Sequence, residues 1–234
     1  DALGVYSLAD GYKAYDTIEL PAAPFHMDLS PEGTRLCVVY GYEAAVYDLA
    51  SGEKLAGIPI AQSALADCLF IDEDHILVAA ADGVENYEIA TGSVLWTGEK
   101  ATFITISGDG KTAACVNRED SKAILYDTES GEKKTECEFE GRQLRVVTND
   151  ILADPKDNIF ALNQDGSLLA VSFSDGGVEL FDLHDPEESL ILYDTSDYIH
   201  MEGGFSGDYF AYAVRNGTDN VFGLVDTVQG ISLG

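Results

Sequence analysis

The sequence predicts an all-β protein, a β-propeller of four-stranded antiparallel blades, with about five and a half blades in residues 1–234 as a single domain. Three observations carry this expectation. One nine-residue segment recurs at a nearly constant step, each copy reads as strand, turn, strand, and a second hairpin precedes most copies.

The recurring segments are VYSLADGYK, VYDLASGEK, NYEIATGSV, LYDTESGEK and LFDLHDPEE, starting at Val5, Val46, Asn86, Leu125 and Leu180, with VFGLVDTVQ from Val221. Their steps are 41, 40, 39, 55 and 41 residues. A period near 40 built from strands is the spacing of a propeller blade. In VYDLASGEK, residues 46–49 alternate between the faces of a strand, and Ser51-Gly52 then supplies a turn in which Gly adopts the left-handed backbone that other residues resist. Thr91-Gly92, Ser130-Gly131 and Asp10-Gly11 repeat that turn at the same offset.

The preceding hairpin is clearest in FHMDLSPEGTRLCVVY at 25–40, where Ser30-Pro31-Glu32-Gly33 has the Pro and Gly placement that a type I turn accepts best. FITISGDGKTAACV from Phe103 and IFALNQDGSLLAVS from Ile159 share the form, CLFIDEDHILVAAA from Cys68 keeps the alternation without the turn Gly, and GGFSGDYFAYAV from Gly203 is a looser copy. Two hairpins per repeat make a four-stranded sheet. Such a sheet buries only part of its apolar surface, so neighbouring sheets stack face to face around a common axis.

These repeats resemble the WD40-like β-propeller family, with the YVTN and quinoprotein-like propellers beside it. NQDGSLLAVSFSDGGVELFDL at 163–183 carries the likeness best, and ATGSVLW at 90–96 resembles quinoprotein-like repeats. Tyr47-Asp48, Tyr87-Glu88, Tyr126-Asp127 and Phe181-Asp182 stand where WD40 repeats carry Trp-Asp, and their Gly-His dipeptide is missing. The resemblance implies the fold and brings no activity with it.

The blades are expected at about 25–60, 65–99, 101–140, 158–195 and 198–234, with an outer hairpin alone at 1–20. The inner hairpin that should precede residue 1 is not in the sequence. The ring is therefore expected to be six-bladed with two strands missing or part of a larger ring, and the start at Asp1 suggests excision from a longer protein. The 55-residue step marks an insertion at 141–157 containing Arg142, Arg145 and Lys156. It reads as a long loop or an extra edge strand, with a partner-binding loop as the functional reading.

Composition narrows the partners. Thirteen Lys and Arg against 42 Asp and Glu give a formal charge of −29, a surface that repels phosphate backbones and anionic lipid. A protein or peptide partner is expected, with no nucleic acid and no membrane insertion within this chain. No run of about 18 apolar residues occurs. Cys37, Cys68, Cys115 and Cys137 lack CxxC spacing, and the first three sit in apolar runs as buried thiols would.

No catalytic, cofactor-binding or metal residue is assigned from the sequence, and no cofactor is expected. Gly204-Phe205-Ser206-Gly207 lacks nucleophile-elbow spacing. His26, His75, His184 and His200 are scattered, without metal-binding spacing. Asp72-Glu73-Asp74 lacks the Gly and distal Glu of a calcium loop. Gly176-Gly177 and Gly203-Gly204 belong to turns, and Asn216-Gly217-Thr218 is a formal glycosylation sequon. Asp28, Asp67 and Glu202 fall in or beside innermost strands, where carboxylates facing the axis could hold a cation or a basic peptide; a one-residue slip would turn them away.

The expected function is a non-enzymatic protein- or ligand-binding scaffold or sensor domain of a larger, bacterial-type protein, extracytoplasmic rather than cytoplasmic. The alternative is a propeller enzyme of lactonase or quinoprotein-like type with a metal at the channel mouth.

Overall fold

A computed structural model describes residues 2–4, 18–60, 67–80, 83–117, 120–144, 159–185, 189–194, 200–216, 219–229 and 231–232. The repeat copy at Val5, Arg145 and Lys156 of the insertion, and Gly217 and Thr218 of the sequon lie outside these residues. The chain divides into two compact units, Asp1–Ile104 and Thr105–Gly234.

The first unit opens with a two-stranded sheet, β1 (Ala2–Leu3) and β2 (Ile18–Glu19). The next sheet holds β3 (His26–Leu29), β4 (Arg35–Tyr40), β5 (Glu43–Asp48) and β6 (Lys54–Pro59) in chain order. It is followed by β7 (Asp67–Phe70), β8 (His75–Ala80), β9 (Gly83–Glu88) and β10 (Ser93–Thr97). β11 (Phe103–Ile106), β12 (Thr112–Val116), β13 (Lys122–Asp127) and β14 (Lys133–Glu138) form the third four-stranded sheet. The second unit, which holds β12–β14, continues with β15 (Phe160–Leu162), β16 (Leu168–Ser172), β17 (Gly177–Asp182) and β18 (Ser189–Asp194), then β19 (His200–Ser206), β20 (Tyr209–Asn216), β21 (Asp219–Asp226) and β22 (Ile231–Ser232). The recorded strand pairings are antiparallel, and among the described residues no helix is long and apolar enough to cross a membrane.

Burial explains the strand sequences. The middle strands β4, β5, β12 and β13 are buried on both faces, so RLCVVY and TAACV show no polar alternation. The inner strands β3 and β7 alternate, HMDL and DCLF. In the first unit, Cys37, Val39, Ala44, Val46, Ile58 and Ile60 of one blade pack on Cys68, Phe70, Ile76, Val78, Tyr87 and Ile89 of the next. In the second, Ile159, Ala170, Val178 and Leu180 pack on Met201, Phe210, Tyr212, Val214 and Val225. All four cysteines are buried, and burial pushes the Cys137 thiol up to about 12.

The turns follow from the recurring polar residues. Asp48 Oδ1 accepts from the N–H and the hydroxyl of Ser51, both at 2.7 Å, and Gly52, with φ 72°, closes the turn on the Asp48 carbonyl. Asp127 holds Ser130 in the same way, and Glu88 accepts from the Thr91 hydroxyl. The acidic residue of each Tyr-Asp pair is therefore the cap of the outer hairpin. Each of these hairpins also carries a β-bulge, between Val46 and Tyr47, Val94 and Trp96, Leu125 and Tyr126, and Val178 and Glu179. Bulges of this kind bend and twist an edge.

The last copy requires a correction. Sequence alignment places Gly223 at the capping position, but Asp226 occupies it, opposite Tyr209 and accepting from the N–H groups of Val228 and Gln229. β20 and β21 are eight residues each, and the longer strands shift the register by three.

Asp48 is held below the usual aspartate value of 3.8 by its Ser51 hydrogen bonds, and Asp127 by those of Ser130. A carboxyl whose folded value is lowered adds stability above its unfolded value and loses it as pH falls through the folded one. Asp48→Asn/Asp127→Asn should therefore flatten the stability loss below about pH 4. Urea melts at pH 5 and pH 3 measure it, and equal slopes in both proteins would reject the assignment.

Candidate functional site

Among the innermost strands, the structure brings three of the singled-out residues together in the first unit. His26 Nε2 lies 3.0 Å from Asp67 Oδ1, with each side chain 16% exposed. Asp28 Oδ2 accepts the backbone N–H of Phe70 at 2.8 Å, and Asp67 Oδ2 that of Ile104 at 3.4 Å. Burial raises the Asp28 carboxyl above its usual value, against the Phe70 hydrogen bond and the His26 ring, which act to lower it. Both carboxylates thus reach from one inner strand to the backbone of the next. Thr105 Oγ1 does the same for the N–H of Leu162 in the second unit, at 3.4 Å. Glu202 is exposed in that second unit. Among the described residues, no group of three His, Cys, Asp or Glu is arranged to hold a metal ion.

The acidic run 72–74 is the β7–β8 turn and works as a clasp. Asp72 Oδ1 accepts from the backbone N–H groups of Asp74 and His75 and faces His75 Nδ1 at 2.8 Å. Glu73 crosses to the β3–β4 turn of the preceding blade, accepting from Glu32 N–H at 2.8 Å and the Thr34 hydroxyl at 2.7 Å. Arg35 Nη1 returns the contact to the Glu73 carbonyl and to Asp74. Asp72 thus fixes its own turn, while Glu73 and Asp74 hold two blades together.

Arg142, counted with the insertion, folds onto the following blade. Its guanidinium stacks 3.9 Å above the Phe173 ring, donates through Nε and Nη2 to both oxygens of Asp175 at 2.8 Å, and contacts Glu179 through Nη1. Glu179 is 7% exposed. Leu144 bridges to Phe173, and Phe139 packs edge-on to Phe173 at 5.4 Å between ring centres. The Arg142 guanidinium holds Asp175 below the usual carboxylate range. The part of the insertion that the structure describes is therefore docked, and Arg142 is an internal clamp.

Gly203-Gly204, expected in a turn, lies instead inside β19, paired with Tyr212 and Ala211, and the remaining candidates fall at turns and edges. Ser206 and Gly207 lie at the β19–β20 turn, and Gly176-Gly177 lie at the start of β17, where Gly177 faces Arg142. His184 lines a cavity of about 310 Å³ in the second unit with Thr112, Lys134, Asp165 and Ser167. Lys134 Nζ there donates to the Lys111 carbonyl and the Thr112 hydroxyl at 3.0 Å and lies 3.4 Å from Asp127. It braces the blade's own turn.

What sequence reasoning missed is the character of the outer edges. β14 is a charged strand, KKTECE, in which Lys133 pairs with Glu136. β18, SLILYD, leaves Leu190 42% and Ile191 60% exposed, and β10 leaves Val94 44% and Leu95 50% exposed. Charge on an edge strand blocks pairing with other chains, and its absence leaves an apolar edge open to it. The signal was present in the bare string SLILYD, but outer strands elsewhere in the chain disguise it.

The chain matches no protein-family model and no curated protein. It is similar in structure to hydrazine synthase of Kuenenia stuttgartiensis, at 16% identity and a TM-score of 0.61 over 89% of this chain and 64% of that one. The chain thus spans less than two thirds of that protein's length. It is also similar to KlHsv2 with loop 6CD replaced by a Gly-Ser linker, at 12% identity and a TM-score of 0.69 over 99% of this chain and 75% of that one. Together with the five four-stranded sheets among the described residues, these likenesses establish the fold: the chain is an all-β protein built as a β-propeller of antiparallel blades.

Proposed function

We propose that the chain is a non-enzymatic binding scaffold of WD40-like repeats, an extracytoplasmic sensor or platform domain of a larger protein, which takes a protein or peptide along its blade edges. The observation that carries this reading is the apolar outer strand β18, with Leu190 and Ile191 exposed on consecutive, opposite faces. An extended segment adds to such an edge through main-chain hydrogen bonds, with side-chain contacts setting preference. Charge supports a basic partner, because Arg35, Lys54, Lys122 and Arg142 are each paired within the chain while the net charge is −29.

A fluorescent decapeptide of alternating Lys and Val is a suitable probe. Saturable binding is expected, weakened about tenfold or more, a loss of about 1.4 kcal/mol, in Leu190→Lys/Ile191→Lys. Equal binding to both proteins would reduce the interaction to bulk charge and reject the edge. The enzyme reading, with a metal at the channel mouth, draws on the likeness to hydrazine synthase. A Ca²⁺-dependent rise of several degrees in Tm would favour it over the scaffold.

A further inference from the structure

Two thiols meet between the first and second complete blades. Cys37 of β4 lies opposite Asp28 of β3, so the two side chains share one face of their sheet. From that face Asp28 accepts the backbone N–H of Phe70 in β7, at 2.8 Å. Cys68, two residues before Phe70, points to the same side and packs in one core cluster with Cys37. Neither has any exposed surface, and the two side chains are hydrogen-bonded to each other. Strands β4 and β7 approach within 8 Å between Cα atoms, close to the roughly 4.4–6.8 Å that a disulfide spans.

Packing alone does not ask for sulfur here. The inner turns fix corresponding positions, since Ser30, Ile71, Ser107 and Asn163 each donate a backbone N–H across the turn, to the carbonyls of Arg35, His75, Thr112 and Leu168. Cys37 therefore corresponds to Leu77, Ala114 and Ala170, and Cys68 to Ile104 and Phe160. Hydrocarbon side chains fill those places, Leu77, Ala114 and Ala170 with no exposed surface. Among the described residues, cysteine occupies both facing positions at this junction alone.

We propose that Cys37 and Cys68 form a modification site, joined as a disulfide that staples the two blades when the chain folds in the presence of an oxidising small-molecule disulfide. The step is two thiol–disulfide exchanges. One cysteine thiolate attacks the small disulfide, forms a mixed disulfide and expels one thiolate. The second cysteine thiolate attacks the protein sulfur of that mixed bond and expels the other. The two cysteine protons pass through solvent to the two expelled thiolates, two electrons reduce the small disulfide to two thiols, and one S–S bond forms in the protein. Burial first, with the Cys37 contact and the Asp67 and Asp28 charges, holds the Cys68 proton well above the usual thiol value of 9.0. Thiolate is therefore scarce once the blades have closed, and the exchange belongs to the open chain. The bond then closes a loop between residues 37 and 68, which constrains the unfolded chain and adds stability.

Trypsin cuts after Lys and Arg and leaves the four cysteines in four peptides, 36–54, 55–100, 112–118 and 135–142. The chain is refolded from urea with oxidised glutathione, alkylated in urea and digested without reductant. Mass spectrometry should then find 36–54 linked to 55–100, with Cys115 and Cys137 alkylated. The linked protein should melt about 5 °C or more above protein refolded with reduced glutathione. Cys37→Ala or Cys68→Ala should remove that difference; should either variant fail to fold, the peptide masses decide on the wild-type chain alone. Cys37 and Cys68 left alkylated or carrying glutathione, a link between any other pair, or a linked protein no more stable than the reduced one would overturn the proposal.

Discussion

Arg142→Ala is expected to destabilise the second unit by about 3 kcal/mol, because it leaves the buried Glu179 carboxylate without its cation. The same change removes the bidentate pair with Asp175 and the stacking on Phe173. Arg142→Lys keeps the charge and loses the fork and the flat contact, so its loss should fall between wild type and Ala. Arg142→Leu with Glu179→Leu should recover most of the difference, since replacing both members of a buried pair costs far less than removing one. Gly177 offers an independent approach to the same clamp: a Cβ there would lie 2.2 Å from Arg142 Nη2, so Ala displaces a guanidinium already fixed by two carboxylates. Urea midpoints at constant m-value report each change. An Arg142→Ala midpoint equal to wild type would mean that the segment after β14 is not docked.

Asp28 is expected to separate hydrogen bonding from charge. Asp28→Ala removes the acceptor for the Phe70 N–H and should cost about 1–3 kcal/mol. Asp28→Asn keeps a carbonyl oxygen at the same place and removes a carboxylate that burial disfavours. The folded carboxyl titrates above its unfolded value of 3.8, so the folded state holds the proton more tightly. Wild-type stability from this group falls as pH rises from 3.8 through the raised folded value. Asn carries no such slope. Asp28→Asn should therefore gain on wild type as pH rises through that window and match or exceed it at pH 7. Thermal melts of the three proteins between pH 4 and pH 7 give the answer; Ala and Asn behaving alike would remove the hydrogen bond from the explanation.

The sequence carried the strand order and the turns because these depend on neighbours. Gly33 and Gly52, with φ 67° and 72°, stand where the turn chemistry requires them, and Asp48 caps a turn three residues away. The contacts that define the candidate site depend on residues far apart along the chain. Asp28 meets Phe70, Glu73 meets Glu32 and Thr34, and Arg142 meets Asp175 and Glu179, and no local pattern encodes those pairings. The three-residue displacement of Asp226 arose because lengthening β20 and β21 together preserves their pairing while moving the cap.

The doubly covered middle strands have a consequence for how such a chain can drift. Ala44, Ala45 and Ala79 in the first unit, and Ala113, Ala114, Ala123 and Ala170 in the second, have no exposed surface. Their single methyl groups act as shims, and the thickness of each sheet is set by them. A bulkier side chain at one of these places has no outward direction in which to turn and must wedge two sheets apart. Sequence change should accumulate in the outer edges and the turns, while the shims keep the pitch from one sheet to the next.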